Sequence, residues 1–376
     1  MPSSQSNVVS MPRNVSKKEK PGGIQYPLKF QAAILERNNQ PLVVDEVVFE
    51  GPLMPGQVLV RIHYSGICGK QIEEIRGSAG VDSFLPHMLG HEGSGVVADV
   101  GPEVRKVVAG DHVVLHWLKG SGIDATTPLY KRNGKRVNAG WVTTFNEYGV
   151  VAENRVTVIP KEVDLSVACL LGCAVTTGVG VVVNEANVRP GESIAVFGCG
   201  GVGLNAVQGA ALVKAALVIA VDKNEESLKL AKKFGATHTV HVGSENVLEK
   251  VRALTGGRGA SHVMICTADP KVIEQGVEAS SVPGAVYIVS VPPLGAKVSV
   301  DALSIHRRRK LSGSYGGGCF PDRDIPAYLN LYAQGQLKLK ELISHQVPLK
   351  DINEGIKALF AKQVGRCIVR MTKNGH

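Results

Sequence analysis

The sequence predicts an α/β fold with two domains, one rich in short β-strands and one built on a doubly wound parallel sheet. The chain has 376 residues, which is enough for two separate hydrophobic cores. Glycine is abundant at 43 residues, whereas aromatic residues make up 5% of the chain, and this composition favours turn-rich β structure. The second half of the chain alternates apolar strand patterns with helical patterns, as doubly wound sheets do.

Four segments follow from this patterning. Residues 1–27 lack apolar periodicity and predict a flexible tail, for which a transit peptide is the weaker alternative. Residues 28–174 carry the short-strand pattern, residues 175–311 carry the alternating pattern, and residues 312–376 return to mixed structure that we expect to complete the first domain. We expect strands at 58–62, 95–100, 111–115, 145–151, 193–197, 217–221, 239–242, 262–266 and 285–290, and helices at 226–234, 246–254 and 270–279.

Cysteine usage and charge exclude several classes of protein. The seven cysteines are odd in number and form no ladder of close spacings, which indicates reduced thiols in a cytoplasmic protein. We find no membrane-spanning run and no apolar signal-peptide core after Met1, so no membrane partner is expected. The formal net charge is +9, and its sharpest cluster is 306–310. That cluster could bind an anion, a nucleic acid or a partner subunit. Because no aromatic residues alternate with the basic ones, we favour a solvated turn or strand edge and expect no nucleic acid.

A glycine-rich loop predicts a dinucleotide site. The pattern G-x-G-x-x-G follows a predicted strand and opens a predicted helix, and Asp222 ends the next strand. In this context the glycines allow a tight turn and close approach to a pyrophosphate, and the carboxylate binds the ribose hydroxyls. Asp222 would repel a 2′-phosphate and favours NAD over NADP, although the neighbouring Lys223 softens this preference. The alternative is a tight turn between packed elements. The residues of this motif are Gly198, Gly200, Gly201, Val202 and Gly203.

Three soft metal ligands precede that loop, each beside glycine: Cys68, His91 and Cys173. Two thiolates and one imidazole leave a tetrahedral zinc with one open position, which makes the metal a Lewis acid. Taken alone, Cys173 could be a small buried apolar residue and His91 an ordinary turn histidine. Their order ahead of a dinucleotide loop predicts a catalytic metal site.

With these motifs, residues 29–371 resemble the zinc-dependent alcohol dehydrogenases of the medium-chain dehydrogenase/reductase family. The resemblance implies a GroES-like catalytic domain, a Rossmann coenzyme domain, and hydride transfer between an alcohol and NAD. It also implies that Glu92 is a reserve zinc ligand. The implied cofactor contacts are Thr177 and Val202 behind the nicotinamide, the backbone of Val289 at its carboxamide, and Arg366 at the pyrophosphate. Trp117 and Phe145 fall where the family has pocket walls, or they are ordinary core aromatics.

The chain departs from the family in two places. The stretch 116–148 has no cysteine, so we expect one catalytic zinc and no structural zinc, with the loop 120–139 held by ordinary contacts or by a partner subunit. After Cys68, Lys70 takes the hydroxyl position of the family's proton relay, Gln71 the position of an acid, and Glu73 the position of a histidine. Lys70 beside a cation is a candidate proton acceptor, or it swings outward and pairs with Glu73 or Glu74.

The sequence therefore predicts an NAD-dependent zinc alcohol dehydrogenase that acts as a homodimer or homotetramer on a small molecule. Trp117 and His116 at the pocket wall favour a substrate larger and more polar than ethanol, such as a polyol, a sugar derivative or a cyclitol. Two alternatives remain. One is a zinc-independent reductase of enones or quinones, and the other is a nucleotide-binding relative without turnover.

Overall fold

The computed structural model describes residues 24–78, 80–361 and 365–371, so most of the predicted tail lies outside the described residues. Short strands dominate the chain up to Ile159, with one helix between β3 and β4. The elements are β1 (Leu28–Leu35), β2 (Val43–Phe49), β3 (Gln57–Gly66), α1 (Gly69–Arg76), β4 (His87–Met88), β5 (Glu92–Val100), β6 (His112–His116), β7 (Tyr130–Arg132), β8 (Lys135–Val137), β9 (Tyr148–Ala152) and β10 (Val156–Ile159).

Helices and parallel strands alternate through the second part of the chain. They are α2 (Leu165–Ala168), α3 (Ala174–Gly180), β11 (Ser193–Phe197), α4 (Gly201–Leu212), β12 (Leu217–Asp222), α5 (Glu225–Lys233), β13 (His238–His241), α6 (Val247–Leu254), β14 (Ala260–Ile265), α7 (Pro270–Ala279), β15 (Ser280–Ile288), α8 (Ala302–His306) and β16 (Lys310–Gly313). The chain continues through α9 (Pro321–Ala333), β17 (Ile343–Pro348), α10 (Ile352–Phe360) and β18 (Arg366–Arg370). Short 3₁₀ turns span Glu153–Arg155, Cys169–Gly172, Gly316–Gly318, Lys340–Leu342 and Leu349–Asp351, and a π-helical turn spans Val181–Glu185.

Three sheets organise the described residues. Two of them form the β-rich domain, with the orders β4-β1-β2-β7-β8 and β10-β6-β5-β3-β18-β17, and β9 also pairs with β3. The third has the order β13-β12-β11-β14-β15-β16 and is parallel throughout. Since β18 pairs antiparallel with β3, the end of the chain lies in the sheet of the first domain. This arrangement confirms the predicted fold class.

Local signals explain most of the element boundaries and a few differences from the sequence predictions. Asp164 caps α2, because its carboxylate accepts the Ser166 N–H at 2.8 Å. The strand predicted at 145–151 begins only at Tyr148, because the Phe145 N–H bonds to the carbonyl of Leu89 outside that ladder. Sequence analysis missed the β7–β8 hairpin, whose turn has Asn133 at φ 50° and Gly134 at φ 75°.

Ordinary contacts hold the cysteine-free segment 118–126. Glu153, 2% exposed, accepts the backbone N–H groups of Lys106 at 2.5 Å and Ile123 at 2.8 Å. Asp322, in the first turn of α9, accepts the Ser121 N–H at 2.5 Å and pairs with the Lys106 ammonium at 2.6 Å. Two carboxylates thus anchor this segment to the 3₁₀ turn before β10 and to α9, since hydrogen bonds to a charged acceptor are among the stronger ones.

The basic cluster 306–310 joins α8 to the edge strand β16. Arg309 donates to the carbonyls of Ser280 and Ser281, at 2.9 and 3.4 Å, where α7 meets β15. Part of the cluster is therefore a structural cap, consistent with the turn and strand-edge interpretation.

Among the described helices, no single one is long and apolar enough to cross a membrane. One pair of helical segments has that length and composition only when its members are taken together, with a bend of 56° between them: Leu165–Gly172 and Ala174–Glu185.

Candidate metal and cofactor site

The three predicted metal ligands meet where both domains join. Cys68 caps α1 two residues after the end of β3, His91 precedes β5, and Cys173 lies between a 3₁₀ turn and α3. Their ligand atoms lie within 4.8 Å of one another, and Cys173 is 7% exposed. Gly90, at φ 93°, permits the approach of His91, because a Cβ at Gly90 would lie 2.4 Å from Oγ1 of Thr144.

The charge distribution of this cluster suits a soft divalent cation. A hydrogen bond from Cys173, supported by His91, holds the pKa of Cys68 well below its usual value. The same contact with Cys68, together with burial, raises the pKa of Cys173. A cation bound between the two sulfur atoms would favour both thiolates. Two sulfur donors and one imidazole form a donor set that fits zinc.

Gln71 connects two members of the cluster. Its Oε1 accepts the backbone N–H of Cys68 at 2.8 Å, and its Nε2 lies 2.5 Å from Nδ1 of His91. Gln71 is 1% exposed, so these contacts are shielded from water. The position to which the family resemblance assigns an acid is thus filled by a neutral amide that touches both ligands.

Glu92 follows His91 and has no exposed surface. Its Oε2 accepts the N–H of Ala174, the residue after Cys173, at 3.2 Å. Its Oε1 forms an ion pair with Nη2 of Arg366, which is 3% exposed. The carboxylate thus lies between two ligand-bearing segments and is paired with the arginine expected at the pyrophosphate.

The dinucleotide loop has the close packing that its glycines imply. Gly198 has φ 90°, and a Cβ at Gly203 would lie 1.8 Å from the carbonyl oxygen of Gly198. Gly200 is the N-cap of α4 and Gly201 its first residue, so the free N–H groups of this helix face the expected phosphate position. A Cβ at Gly201 would lie 2.3 Å from Cδ of Arg366, which brings the arginine to the loop.

Asp222 ends β12 beside this loop. Its Oδ2 accepts the N–H of Cys199 at 2.6 Å and its Oδ1 accepts the N–H of Asn224 at 2.8 Å, while Lys223 is exposed. These contacts hold the carboxylate at the end of the strand, where a ribose would lie in a Rossmann domain.

The residues expected around the nicotinamide lie between α3, α4 and β15. A Cβ at Gly178 would lie 2.3 Å from the carbonyl oxygen of Val202, so α3 and α4 meet closely next to Thr177. A Cβ at Gly317 would lie 2.5 Å from the Thr177 carbonyl oxygen. Val289 follows β15, and its N–H bonds to the Ile265 carbonyl at 2.9 Å.

The two predicted relay residues lie on different parts of α1. Lys70 is partly buried, whereas Glu73 lies 3.9 Å from Arg76 across one helical turn, and its side chain is 33% exposed. No ion pair within the described residues joins Lys70 to Glu73 or Glu74. Burial raises the pKa of Glu74, and the charges of His91 and Lys70 oppose that shift. Sequence analysis named Glu74 only as an outward partner of Lys70, although its spacing of four residues from Lys70 was a usable signal.

The aromatic and histidine side chains expected at the pocket wall have different environments. The indole of Trp117 lies beside Cys173, where it favours the thiolate form of that side chain, and its ring lies edge-to-face with Tyr315, with 4.9 Å between the ring centroids. Phe145 has no exposed surface and packs in the core of the β-rich domain. The expectation for His116 was wrong, because it is 1% exposed and its ring nitrogens contact the carbonyl of Leu118 at 2.7 Å and Oγ1 of Thr157 at 3.0 Å.

Comparison with known proteins identifies the family. Residues 54–161 match the alcohol dehydrogenase GroES-like domain, and residues 201–334 match the zinc-binding dehydrogenase domain. The S-(hydroxymethyl)glutathione dehydrogenase of Saccharomyces cerevisiae is 32% identical, across 92% of this chain and 97% of its own length. The chain belongs to the zinc-dependent alcohol dehydrogenases of the medium-chain dehydrogenase/reductase family. The predicted family is confirmed.

Solved structures agree with this assignment. An alcohol dehydrogenase zinc-binding domain protein from Burkholderia ambifaria matches with a TM-score of 0.86 and 30% identity, covering 92% of this chain and 100% of that chain. The benzyl alcohol dehydrogenase of Acinetobacter calcoaceticus matches with a TM-score of 0.84 and 26% identity, with the same coverage. The protein is thus an oxidoreductase of the zinc family that transfers hydride between a small-molecule alcohol and NAD, as predicted.

Proposed function

We propose that this enzyme oxidises an alcohol with NAD at a single catalytic zinc bound by Cys68, His91 and Cys173. The observation that carries the proposal is the convergence of three soft ligand atoms within 4.8 Å. A bound zinc would supply a Lewis acid for the substrate oxygen, and NAD would accept the hydride. Glu92 is the reserve ligand, since it adjoins His91 and bonds to the residue after Cys173.

The chain's own groups would bind and orient NAD. The N-terminus of α4 and Arg366 would hold the pyrophosphate, and Asp222 would bind the ribose hydroxyls and disfavour NADP. Thr177 and Val202 would pack behind the nicotinamide, and the backbone at Val289 would hold its carboxamide. Supporting this assignment, Gly201 packs against Arg366, and Asp222 is fixed by the N–H groups of Cys199 and Asn224.

Lys70 is the proposed proton acceptor, with a carboxylate of α1 carrying the proton onward. Glu73 is the residue that the family pattern indicates, and Glu74 is its competitor because burial raises its pKa and it lies within the electrostatic reach of His91 and Lys70. The pairing of Glu73 with Arg76 favours Glu74 for this role.

For the substrate we propose an aromatic or bulky apolar alcohol. Trp117 lies beside Cys173, and its ring meets Tyr315, so apolar ring surface extends outward from the metal ligands. His116, the polar side chain that favoured a polyol, faces Leu118 and Thr157 instead. A benzyl alcohol would therefore find stacking surface, whereas a polyol needs several hydrogen-bonding partners.

We also propose that the enzyme is a homodimer or homotetramer. β16 forms an edge of the parallel sheet, and two apolar residues that follow the neighbouring strand β15, Val291 and Leu294, are 63% and 80% exposed. An exposed strand edge with apolar neighbours favours pairing with a second copy. A cytoplasmic location remains a prediction.

One experiment tests the activity and the metal together. The purified enzyme, assayed for zinc by elemental analysis, is given NAD or NADP with benzyl alcohol, cyclohexanol, sorbitol, an inositol and S-(hydroxymethyl)glutathione. We expect about one zinc per chain, and NADH formation fastest with benzyl alcohol. Two tightly bound zincs per chain would contradict the single site. NAD binding without turnover of any alcohol or carbonyl would instead support the nucleotide-binding alternative.

A further inference from the structure

Arg366 contacts both the metal-ligand region and the dinucleotide loop. Its guanidinium pairs with Glu92, and its Cδ packs where a side chain on Gly201 would otherwise lie. Arg366 and Glu92 are 3% and 0% exposed, so water does not screen their interaction. The buried guanidinium of Arg366 therefore lies between two features: the carboxylate of Glu92 beside the metal ligands, and the phosphate-facing end of α4.

The guanidinium has unused hydrogen-bonding capacity. Nη2 of Arg366 forms the ion pair with Glu92, whereas Nε has no hydrogen-bond partner within the described residues. Arginine carries five N–H donors in a rigid fork, and the fork matches a phosphate as well as a carboxylate. A diphosphate bound at α4 would therefore attract donors that now face Glu92.

The carboxylate of Glu92 has no path to solvent if the Arg366 guanidinium moves away from it. Its side chain fills the space beside Gly66, where a Cβ would lie 2.6 Å from Oε1, and Oε2 remains bonded to the N–H of Ala174. A buried carboxylate without a countercharge is strongly destabilising. A metal bound by His91 and Cys173 would supply a second countercharge for this carboxylate.

We propose that Arg366 and Glu92 couple occupancy of the dinucleotide site to the strength of metal binding. A bound diphosphate would draw the guanidinium away from Glu92, and the charge of Glu92 would then act on a bound metal, so each ligand would strengthen the binding of the other. Such coupling is reciprocal by thermodynamic necessity. The inference rests on the proposed cofactor and metal sites and adds a connection between them.

ADP-ribose is the suitable probe, because it contains the diphosphate and lacks the nicotinamide that would approach the metal directly. Calorimetry gives its dissociation constant for zinc-loaded and zinc-depleted enzyme. We expect tighter binding to the zinc-loaded form by about fivefold or more, the lower range of typical coupling. In Glu92→Gln the ratio of the two constants should fall to near one. Saturating ADP-ribose should also slow the removal of zinc by a chelator in the parent enzyme.

Asp222→Asn is the matched control, because it removes one carboxylate at the ribose end of the same probe. It should change the affinity for both enzyme forms and leave their ratio intact. If Glu92→Gln fails to fold by circular dichroism, Arg366→Lys retains the charge without the fork and should reduce the ratio. Equal affinity for both forms of the parent, or a ratio that survives in Glu92→Gln, overturns the coupling. Failure of ADP-ribose to bind either form would instead overturn the cofactor site.

Discussion

Nε2 of Gln71 lies 2.5 Å from Nδ1 of His91. A neutral histidine that binds a metal through Nε2 carries its proton on Nδ1, and that proton needs an acceptor. The amide nitrogen is a donor, while the amide oxygen already accepts the N–H of Cys68 at 2.8 Å. If the amide were turned, its oxygen would accept the proton of His91, but its NH₂ group would then face the backbone N–H of Cys68, which is also a donor. The amide therefore cannot accept hydrogen bonds from both Cys68 and His91, whereas a carboxylate, with two acceptor oxygens, can.

We expect Gln71→Glu to bind zinc more tightly, because a carboxylate accepts from both Cys68 and His91. The increase in affinity should be on the order of tenfold or more, the usual scale for partners of metal-bound histidines. Competition with a chromophoric chelator measures it directly. Gln71→Met is the control of similar size with no polar atom, and it should bind zinc no better than the parent. Equal zinc affinity in Gln71→Glu and the parent would contradict this account.

We expect Lys70→Ala to lower turnover by roughly 10²–10⁴-fold, the range for a general acid–base group, with zinc content and NAD affinity retained. Steady-state rates with elemental analysis and calorimetry separate these effects. A variant that turns over as fast as the parent would make Lys70 a surface residue and water the proton carrier.

Glu73→Gln and Glu74→Gln form a matched pair on one helix turn. Since burial raises the pKa of Glu74 and Glu73 lies near Arg76, we expect the larger loss of kcat in Glu74→Gln. The reverse order would assign the relay to Glu73, as the family pattern does.

How far the sequence predicts this molecule depends on the range of the interactions involved. β11 and α7 have the predicted bounds because an apolar run and a Pro at the first helical position are local signals. The pairing of Arg366 with Glu92 joins residues far apart in the chain, and the burial of His116 depends on Thr157 across the sheet. Neither contact has a local pattern. The wrong placement of His116 came from extending a pocket wall along β6 without knowing which face each residue occupies.

Removing the charge of Asp222 should narrow the preference for NAD over NADP. We expect Asp222→Ser to raise kcat/KM for NADP relative to NAD, because the carboxylate no longer repels a 2′-phosphate. The variant also loses the acceptor for Cys199 N–H, which lies in the phosphate loop, so some loss of NAD affinity should accompany it. Lys223→Ser should shift the preference in the opposite direction and serves as the charge control. A parent enzyme that already prefers NADP would contradict the assignment of Asp222.

Two side chains distinguish the aromatic substrate from a polar one. Trp117→Leu should lower kcat/KM for benzyl alcohol about tenfold relative to ethanol, since it removes ring surface beside Cys173. Trp141 is the other tryptophan, is 67% exposed and lies over the guanidinium of Arg155, so Trp141→Leu is the matched control and should leave this ratio unchanged. An unchanged ratio in Trp117→Leu would remove the stacking argument.

The buried His116 should make folding stability depend on pH in a defined window. Burial lowers the pKa of His116 from 6.5 to about 4. Between pH 6.5 and 4, His116 binds a proton in the unfolded chain but not in the folded protein. The free energy of unfolding therefore falls as the pH falls from 6.5 towards 4. The contribution is constant above pH 6.5 and amounts to at most roughly 3 kcal/mol across the window. Urea unfolding at a series of pH values measures it.

Burial also lowers the pKa of His63, so His63 contributes to the pH dependence in the same direction. The slope of unfolding free energy against pH must therefore be compared between variants. His116→Gln can still bond to Leu118 and Thr157 but does not titrate, and its stability should fall less steeply over this window. His238→Gln changes an exposed histidine and should retain the slope of the parent. If His116→Gln and the parent lose stability in parallel from pH 6.5 to 4, then His116 is protonated in the folded enzyme.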